Sequence, residues 1–110
     1  MGKEPKPVVY SIIFKLDVID VYKYGIETFG KIQAEKYLSA IYRLVSCLDV
    51  FYDLYPECRH LRTKSKRYRW IVLESHLIIY RISDVEIQIL RIVHSHRSIT
   101  KIKDSRSINF

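Results

Sequence analysis

Glycine is scarce in this sequence. Gly2, Gly25 and Gly30 are the only three among 110 residues. A glycine-rich phosphate loop or a dinucleotide-binding fingerprint needs several glycines at close spacing, so the sequence excludes both and no cofactor is predicted. No apolar run approaches the ~18 residues of a membrane span. The start, MGKEPKPVVY, also lacks the pattern of a secretory signal. We therefore expect a cytoplasmic protein without a membrane partner.

Cysteine is equally scarce. Cys47 and Cys58 are the only two, and without an export signal they are expected to be free. We predict Cys47 to be buried on a helix and Cys58 to lie in a loop. A zinc site from Cys58-x-His60 with His94-x-His96 is an alternative, but that spacing matches no common zinc module. The prediction is that no metal is bound.

Three β-rich runs occupy the stretch from Tyr68 to Arg97. They span Tyr68 to Glu74, His76 to Ile82 and Glu86 to about His94. The few residues between them leave room only for hairpin connections. A three-stranded antiparallel meander is therefore predicted. A lone sheet of this size cannot bury its own apolar face, so elements upstream must cover it.

The first helix is predicted to begin after a short strand, Val8 to Tyr10. Ser11 caps this helix, which runs to Phe29 and is stopped by Gly30. A seven-residue strand over 8–14 is the alternative. We prefer the helix because its apolar residues recur at helical spacing, which permits one face to be buried. The stripe consists of Phe14, Val18, Val21, Gly25 and Phe29, widened by Tyr22 and Ile26.

The second helix is predicted from Lys31 to Leu54, with Pro56 ending it. The short link at Gly30 forces the two helices into an antiparallel hairpin that can cover the sheet. Gly25 in the first helix indicates a close contact between them. The apolar seam of the second helix is Ala34, Leu38, Ile41, Val45, Leu48, Tyr52 and Tyr55.

Together these elements predict an α+β fold in the order β-α-α-β-β-β, with a helical hairpin on a small antiparallel sheet. Residues 1–7 are predicted to be a mobile leader and residues 104–110 a tail. Residues 8–103 form a single domain, which is long enough for a modest core.

The positive charge is concentrated just before and just after the sheet. The formal net charge is +7, and eleven consecutive residues hold six cations and no acid. A second cluster lies in the C-terminal part. Such a distribution attracts an anionic partner: RNA, DNA or an acidic protein segment. The basic loop consists of Arg59, Arg62, Lys64, Lys66, Arg67 and Arg69; the second cluster is Arg91, Arg97, Lys101, Lys103 and Arg106.

A cluster of histidines and arginines is the candidate active centre. A histidine that acts as acid or base, beside arginines that stabilise a pentavalent phosphate, would suit RNA cleavage through the ribose 2′-hydroxyl. The same groups would equally suit anion binding without catalysis. Arg91 also has a structural alternative, an ion pair with Glu74 or Glu86. The ribonuclease candidates are His94, His96, Arg69, Arg81 and Arg91.

Several segments resemble the RelE/ParE superfamily of toxins from type II toxin–antitoxin systems. They are VVYS, DVYKYGIETFG, QAEKYLSAI, LIIYRI and ILRIVHSHR, and the resemblance covers roughly Val8 to Ile102. It implies two helices against an antiparallel sheet whose first strand is the N-terminal one. It also implies a small toxin that arrests growth and is neutralised by an antitoxin encoded beside it.

The superfamily has two main activities. RelE-like and YoeB-like members are ribosome-dependent ribonucleases that act on mRNA. In YoeB-like members an arginine stands at the position of Leu77, and both kinds carry a catalytic tyrosine near the C-terminus. This chain has no tyrosine after Tyr80. ParE-like members inhibit DNA gyrase, and their typical ending resembles Arg91, Ile92, Val93, His94 and Arg97.

The resemblance therefore favours a ParE-like toxin that binds gyrase. The target-facing surface is predicted to consist of Arg91, His94, His96, Arg97, Lys101 and Lys103, assisted by the basic loop. The antitoxin is expected to lay an acidic, amphipathic C-terminal segment along the hairpin and sheet, shielding the basic surface. A ribosome-dependent mRNA endonuclease is the alternative function, and a toxin fold that has lost its activity is a third.

Overall fold

The computed structural model of the chain describes residues 4–96 and 99–110. It has the predicted α+β class, with a strand, a helical hairpin and a three-stranded meander in that order. The elements are β1 Val8–Tyr10, α1 Ile12–Phe29, α2 Lys31–Ser46, α3 Leu48–Phe51, β2 Tyr68–Val72, β3 His76–Ile82, β4 Ile87–His94 and α4 Ile99–Asp104, followed by a 3-10 turn at Ser105–Ser107.

Ser11 fixes the start of α1, as predicted. Its hydroxyl accepts a hydrogen bond from the Phe14 backbone N–H at 2.8 Å and donates one to the Leu90 carbonyl at 2.6 Å. The first bond satisfies an N–H at the helix start that has no intrahelical partner. The second ties the helix to β4. The alternative of a strand over 8–14 is wrong, because the strand ends at Tyr10.

The two long helices approach each other closely at Gly25, as predicted. A Cβ atom built on Gly25 would lie 3.2 Å from the Cβ atom of Ala34 in α2. Gly30 separates the helices with a φ of 88°, in the region that favours glycine. Its N–H donates to the Ile26 carbonyl at 3.0 Å, which closes α1.

The prediction of a single second helix from Lys31 to Leu54 is wrong. α2 ends at Ser46 because Cys47 has a ψ of −8°, well away from the helical value near −42°. A one-turn helix, α3, follows. Cys47 was predicted to be buried but is exposed, and Cys58, in the loop, is the buried cysteine. Burial raises the pKa of the Cys58 thiol.

The sheet is mixed rather than antiparallel. Its strand order is β1-β4-β3-β2, and β2, β3 and β4 form the predicted antiparallel meander. β1 pairs with β4 in parallel, with Val8 opposite Ile87. This pairing is possible because the hairpin and the meander together return the chain to β1 in the same direction, and parallel neighbours need such a long connection.

Both faces of the sheet are covered. The hairpin covers one face, where the core includes Phe14, Val18, Ile41, Val45, Ile78 and Tyr80. The Cys58–Leu61 segment and the C-terminal residues cover the other face, where the core includes Cys58, Leu61, Leu77, Leu90, Ile102 and Ile108. The meander therefore separates two small cores, which explains why its strands are apolar on both faces.

A β-bulge in β4 sets which side chains meet the hairpin. Tyr80 pairs with Ile89 and Ile79 pairs with Arg91, so Leu90 is an extra residue in β4. Strict alternation would place Ile89 and Ile92 on opposite faces, yet both belong to the core under the hairpin. The bulge resets the alternation, so that Ile89 and Ile92 both face the hairpin.

Both ends of the described chain make contacts with the domain. The Lys6 N–H donates to the Asp49 carbonyl at 2.9 Å, and the Lys6 ammonium donates to the Ser83 carbonyl at 2.6 Å. In the segment 104–110, predicted as a tail, Ser105 and Ile108 are buried. Among the described residues no helix has both the length and the apolar character needed to cross a membrane.

Candidate docking surfaces

An apolar groove lies between the two helices and the turn that joins β2 to β3. It has a volume of about 390 Å³. The outer end of the α1 stripe, which was predicted to face the sheet, instead borders this groove: Phe29 is 68% exposed. Tyr24, which is outside the stripe, also lines the groove and is 60% exposed. The aromatic and histidine lining of the groove consists of Tyr22, Tyr24, Phe29, Tyr37, His76 and His94.

A row of histidines begins at the wall of this groove. The ring centres of His76 and His94 are 5.5 Å apart, and those of His94 and His96 are also 5.5 Å apart. The Tyr37 hydroxyl and His76 Nδ1 form a hydrogen bond of 2.7 Å. Burial, with a smaller contribution from His94, lowers the pKa of His76. Burial, with a smaller contribution from Glu74, raises the pKa of the Tyr37 hydroxyl.

Arg91 forms an ion pair with Asp17 on α1. Its Nε and Nη2 atoms donate to the two carboxylate oxygens at 3.0 and 2.8 Å. The Ile92 N–H donates to the same carboxylate at 3.3 Å. The Arg91 and Asp17 side chains are 17% and 13% exposed. The ion pair expected as the structural alternative for Arg91 is present, but its partner is Asp17 of α1 and not Glu74 or Glu86.

Arg69 is held by the loop that precedes β2. It donates to three backbone carbonyls, those of Lys66 at 2.8 Å, Asp53 at 3.2 Å and Tyr55 at 2.9 Å. It also lies 3.6 Å from the Asp53 carboxylate. Its guanidinium group therefore ties the end of the second helical segment to the start of β2.

Arg81 holds the C-terminal segment. It donates to the Gln88 side chain at 2.6 Å and to the backbone carbonyls of Arg106 and Ile108 at 3.4 and 3.0 Å. Its guanidinium carbon also lies 5.7 Å from the Tyr68 ring centre. Arg69, Arg81 and Arg91 thus each contact different partners within the protein. The structure does not bring the three guanidinium groups together around one anion.

A comparison with protein-family models matches residues 8–99 to the ParE toxin of type II toxin–antitoxin systems, parDE. This chain belongs to the ParE toxin family. A similar solved structure is a chain of the chromosomal ParDE toxin–antitoxin system from P. aeruginosa, with a TM-score of 0.69 and 21% identity. The match covers 84% of this chain and 98% of that chain. A comparison with curated proteins finds no match.

The remaining predicted site residues of this ParE-family toxin lie near the end of β4. His94 and His96 are exposed there, and Lys101 and Lys103 are exposed on α4. Arg97, also predicted to face the target, lies outside the described residues. Within residues 4–96 and 99–110, no three His, Cys, Asp or Glu side chains are placed as a metal site requires. The zinc alternative therefore has no supporting geometry.

Sequence reasoning missed the groove residues of this toxin. Tyr37 was not singled out, and His76 was considered only as the start of a strand, although the two are hydrogen-bonded across the groove. Their 39-residue separation gave no local signal. Asp17 could have been found, because it is a carboxylate next to Val18 of the α1 stripe and so lies near the face that packs on the sheet.

Proposed function

We propose that this toxin acts by binding a protein target, DNA gyrase, and stalling it on cleaved DNA in the cytoplasm. The supporting observation is that Arg69, Arg81 and Arg91 are each engaged in separate intramolecular contacts. A ribonuclease would need such cations together around the scissile phosphate. Their dispersal favours binding over RNA cleavage.

The tyrosines give further support. The superfamily resemblance implies that a ribonuclease carries a catalytic tyrosine near the C-terminus, but Tyr80 is the last in this chain. The Tyr80 side chain is fully buried, and its hydroxyl donates to the Tyr52 carbonyl at 2.6 Å. Burial raises the pKa of this hydroxyl, so it is unsuited to exchanging protons with a substrate.

The surface proposed to face gyrase lies at the end of β4. It comprises His94 and His96 together with Lys101 and Lys103 on α4. Arg97, which lies outside the described residues, is assigned to it on the basis of the sequence alone. Charged and aromatic groups that are exposed on rigid elements can pair with a partner without prior rearrangement. Arg91 is removed from this surface, because its guanidinium group is directed to α1.

The antitoxin is proposed to occupy the apolar groove. An amphipathic segment that places its apolar side chains against Tyr24 and Phe29 would bury the aromatic surface that the hairpin leaves exposed. His94 lines the groove and also belongs to the proposed target surface. An antitoxin segment in the groove would therefore block gyrase directly, and this explains how neutralisation and toxicity exclude each other.

The proposal is tested by inducing the chain in bacteria without an antitoxin and pulse-labelling DNA and protein synthesis during the first minutes. DNA synthesis is expected to fall first, and purified gyrase incubated with the toxin is expected to accumulate cleaved DNA. An early collapse of protein synthesis with cut transcripts would refute the gyrase proposal and favour the ribosome-dependent endonuclease.

The surface assignment is tested on purified gyrase with the double variant His94→Ala/His96→Ala. The amount of cleaved DNA is expected to fall at least about tenfold, equivalent to about 1.4 kcal/mol of lost binding. His60→Ala is the control, since it removes a histidine from the loop before β2 and should leave the amount unchanged. Equal activity of the double variant and the wild type would remove these histidines from the surface.

A further inference from the structure

The two basic segments of the chain cover the same face of the sheet. Leu61 of the loop before β2 and Ile102 and Ile108 of the C-terminal segment belong to one buried core. The Arg106 guanidinium carbon lies 5.8 Å from the ring centre of Tyr68, at the start of β2. Residues that are more than thirty positions apart in sequence are thereby joined into one surface, on the side of the sheet opposite the hairpin.

This basic face, defined as residues 57–69 and 99–110, carries the whole net charge of the chain. It holds nine Lys or Arg residues against the two acids Glu57 and Asp104, an excess equal to the formal net charge of +7. The hairpin, residues 12–46, has five Lys or Arg against four Asp or Glu. The molecule is therefore electrically polarised, with nearly all of its positive excess on one side.

Eight of the nine cations of the basic face are exposed. Arg59, Arg62, Lys64, Lys66 and Arg67 are all exposed, as are Lys101, Lys103 and Arg106. The two ion pairs between described residues, Arg69–Asp53 and Arg91–Asp17, involve none of these eight. Glu57 is engaged internally, since it accepts a hydrogen bond from the Thr63 N–H at 2.9 Å. Little on this face offsets the positive charge.

The loop part of the basic face offers charge without apolar anchors. Cys58, Leu61 and Tyr68 are buried, at 0%, 1% and 6% exposure, so the loop presents no exposed apolar side chain. Protein partners are held chiefly by buried aromatic and aliphatic anchors. The backbone of a nucleic acid requires only cations, each of which releases a condensed counterion on contact. The chemistry of the loop thus matches a polyphosphate better than a protein, whereas the C-terminal part of the face also exposes Ile99 and Phe110, at 56% and 50%.

We propose that the basic face binds the phosphodiester backbone of a nucleic acid, without sequence readout. The longest dimension of the molecule is 41 Å, equivalent to about 12 base pairs at 3.4 Å each. A 20-base-pair duplex is therefore long enough to fill the site. This binding can be tested without gyrase, because it concerns the free toxin. The basic face contains neither His94 nor His96, and it shares only Lys101 and Lys103 with the surface proposed to face gyrase.

The experiment measures binding of the purified full-length chain to a fluorescent 20-base-pair duplex DNA of random sequence and to a 20-nucleotide single-stranded RNA. Affinities are taken at several KCl concentrations between 50 and 200 mM. With about five phosphates neutralised, raising the salt over this range should weaken duplex binding roughly 500-fold. The probe that binds with the higher affinity shows whether the face prefers the backbone of duplex DNA or that of single-stranded RNA.

Two double variants test the face, Arg62→Gln/Lys64→Gln in the loop and Lys101→Gln/Lys103→Gln on α4. Each should reduce the slope of log affinity against log salt by about 1.8 for the duplex, or about 1.4 for RNA. The control is Lys23→Gln/Lys36→Gln, which removes the same charge from exposed positions of the hairpin and should leave the slope unchanged. Circular dichroism spectra confirm that each variant is folded.

Absence of salt-dependent binding to both probes would overturn the proposal. An equal reduction of the slope of log affinity against log salt in the control variant would also overturn it. The reduction would then result from the change in net charge and not from the loss of contacts made by the basic face. Neither result bears on gyrase, which is absent from the assay. Conversely, a toxin that fails to act on gyrase but binds DNA through this face would leave the present inference standing.

Discussion

The ion pair between Asp17 and Arg91 provides a quantitative test of the fold. Two hydrogen bonds of 3.0 and 2.8 Å join the guanidinium group to the carboxylate, and both side chains are mostly buried. Removing one partner of a buried pair costs about 3–5 kcal/mol, because the other charge is left without compensation. Asp17→Ala also removes the acceptor of the Ile92 N–H, which costs about 1 kcal/mol.

We therefore expect Asp17→Ala to lower the free energy of unfolding by about 4 kcal/mol and Arg91→Ala by about 3 kcal/mol. The double variant should lose about 2 kcal/mol less than the sum of the two, since no charge remains unpaired. The measurement is urea unfolding at pH 7, followed by far-UV circular dichroism. Asp20→Ala, at an exposed acid on the same helix, is the matched control and should change stability by less than about 0.5 kcal/mol.

The same variants separate a structural role of Arg91 from a target-binding role. If the side chain acts through α1, toxicity should fall in parallel with stability, and Asp17→Ala should lose as much activity as Arg91→Ala. An Arg91→Ala variant with wild-type stability but no activity on gyrase would refute this reasoning. So would strict additivity of the two substitutions, because independent residues show no coupling.

Three further predictions follow from individual contacts. Arg81→Ala removes the hydrogen bonds to the C-terminal carbonyls, so limited proteolysis should cut within residues 105–110 while global stability changes by only about 1–2 kcal/mol. The lowered pKa of His76 means that the unfolded state binds protons more readily, so stability should fall as the pH drops below about 6.5 towards the folded-state pKa. His76→Gln should flatten this part of the curve of urea midpoint against pH. Gly25→Leu should cost about 2 kcal/mol in urea unfolding, since a Cβ atom there already lies 3.2 Å from that of Ala34.

The fold was largely predictable because local signals agreed with each other. The β-rich runs, the cap at Ser11 and the stop at Gly30 each specify a boundary through short-range chemistry. The structure places β3 at His76–Ile82, as predicted, and shortens the first run to Tyr68–Val72. The parallel pairing of β1 could not be predicted, since it depends on where the chain returns between Tyr10 and Ile87.

The candidate site was less predictable, because its arrangement depends on a bulge and on long-range contacts. The extra residue Leu90 shifts the alternation of β4, and no pattern in the strand indicates it. The pairing of Arg91 with Asp17, 74 residues away in sequence, has no local signal either. Arginines that are close in the predicted sheet are therefore separated by their individual partners. The exposure of Phe29 was missed for another reason: a helical stripe specifies which face is apolar, but not how far the sheet extends beneath it.

The groove proposed to bind the antitoxin and the basic face proposed to bind nucleic acid lie on opposite sides of the sheet, which has a consequence for the toxin–antitoxin complex. The antitoxin was expected from the sequence to shield the basic surface, yet the groove that suits an amphipathic segment is bordered by α1 and α2, and the basic face lies across the sheet from them. An antitoxin that fills the groove would leave most of the cations of the basic face exposed. The neutralised complex should then retain the salt-dependent affinity for nucleic acid while it loses activity on gyrase. Neutralisation would thus abolish the activity on gyrase and preserve the binding of nucleic acid.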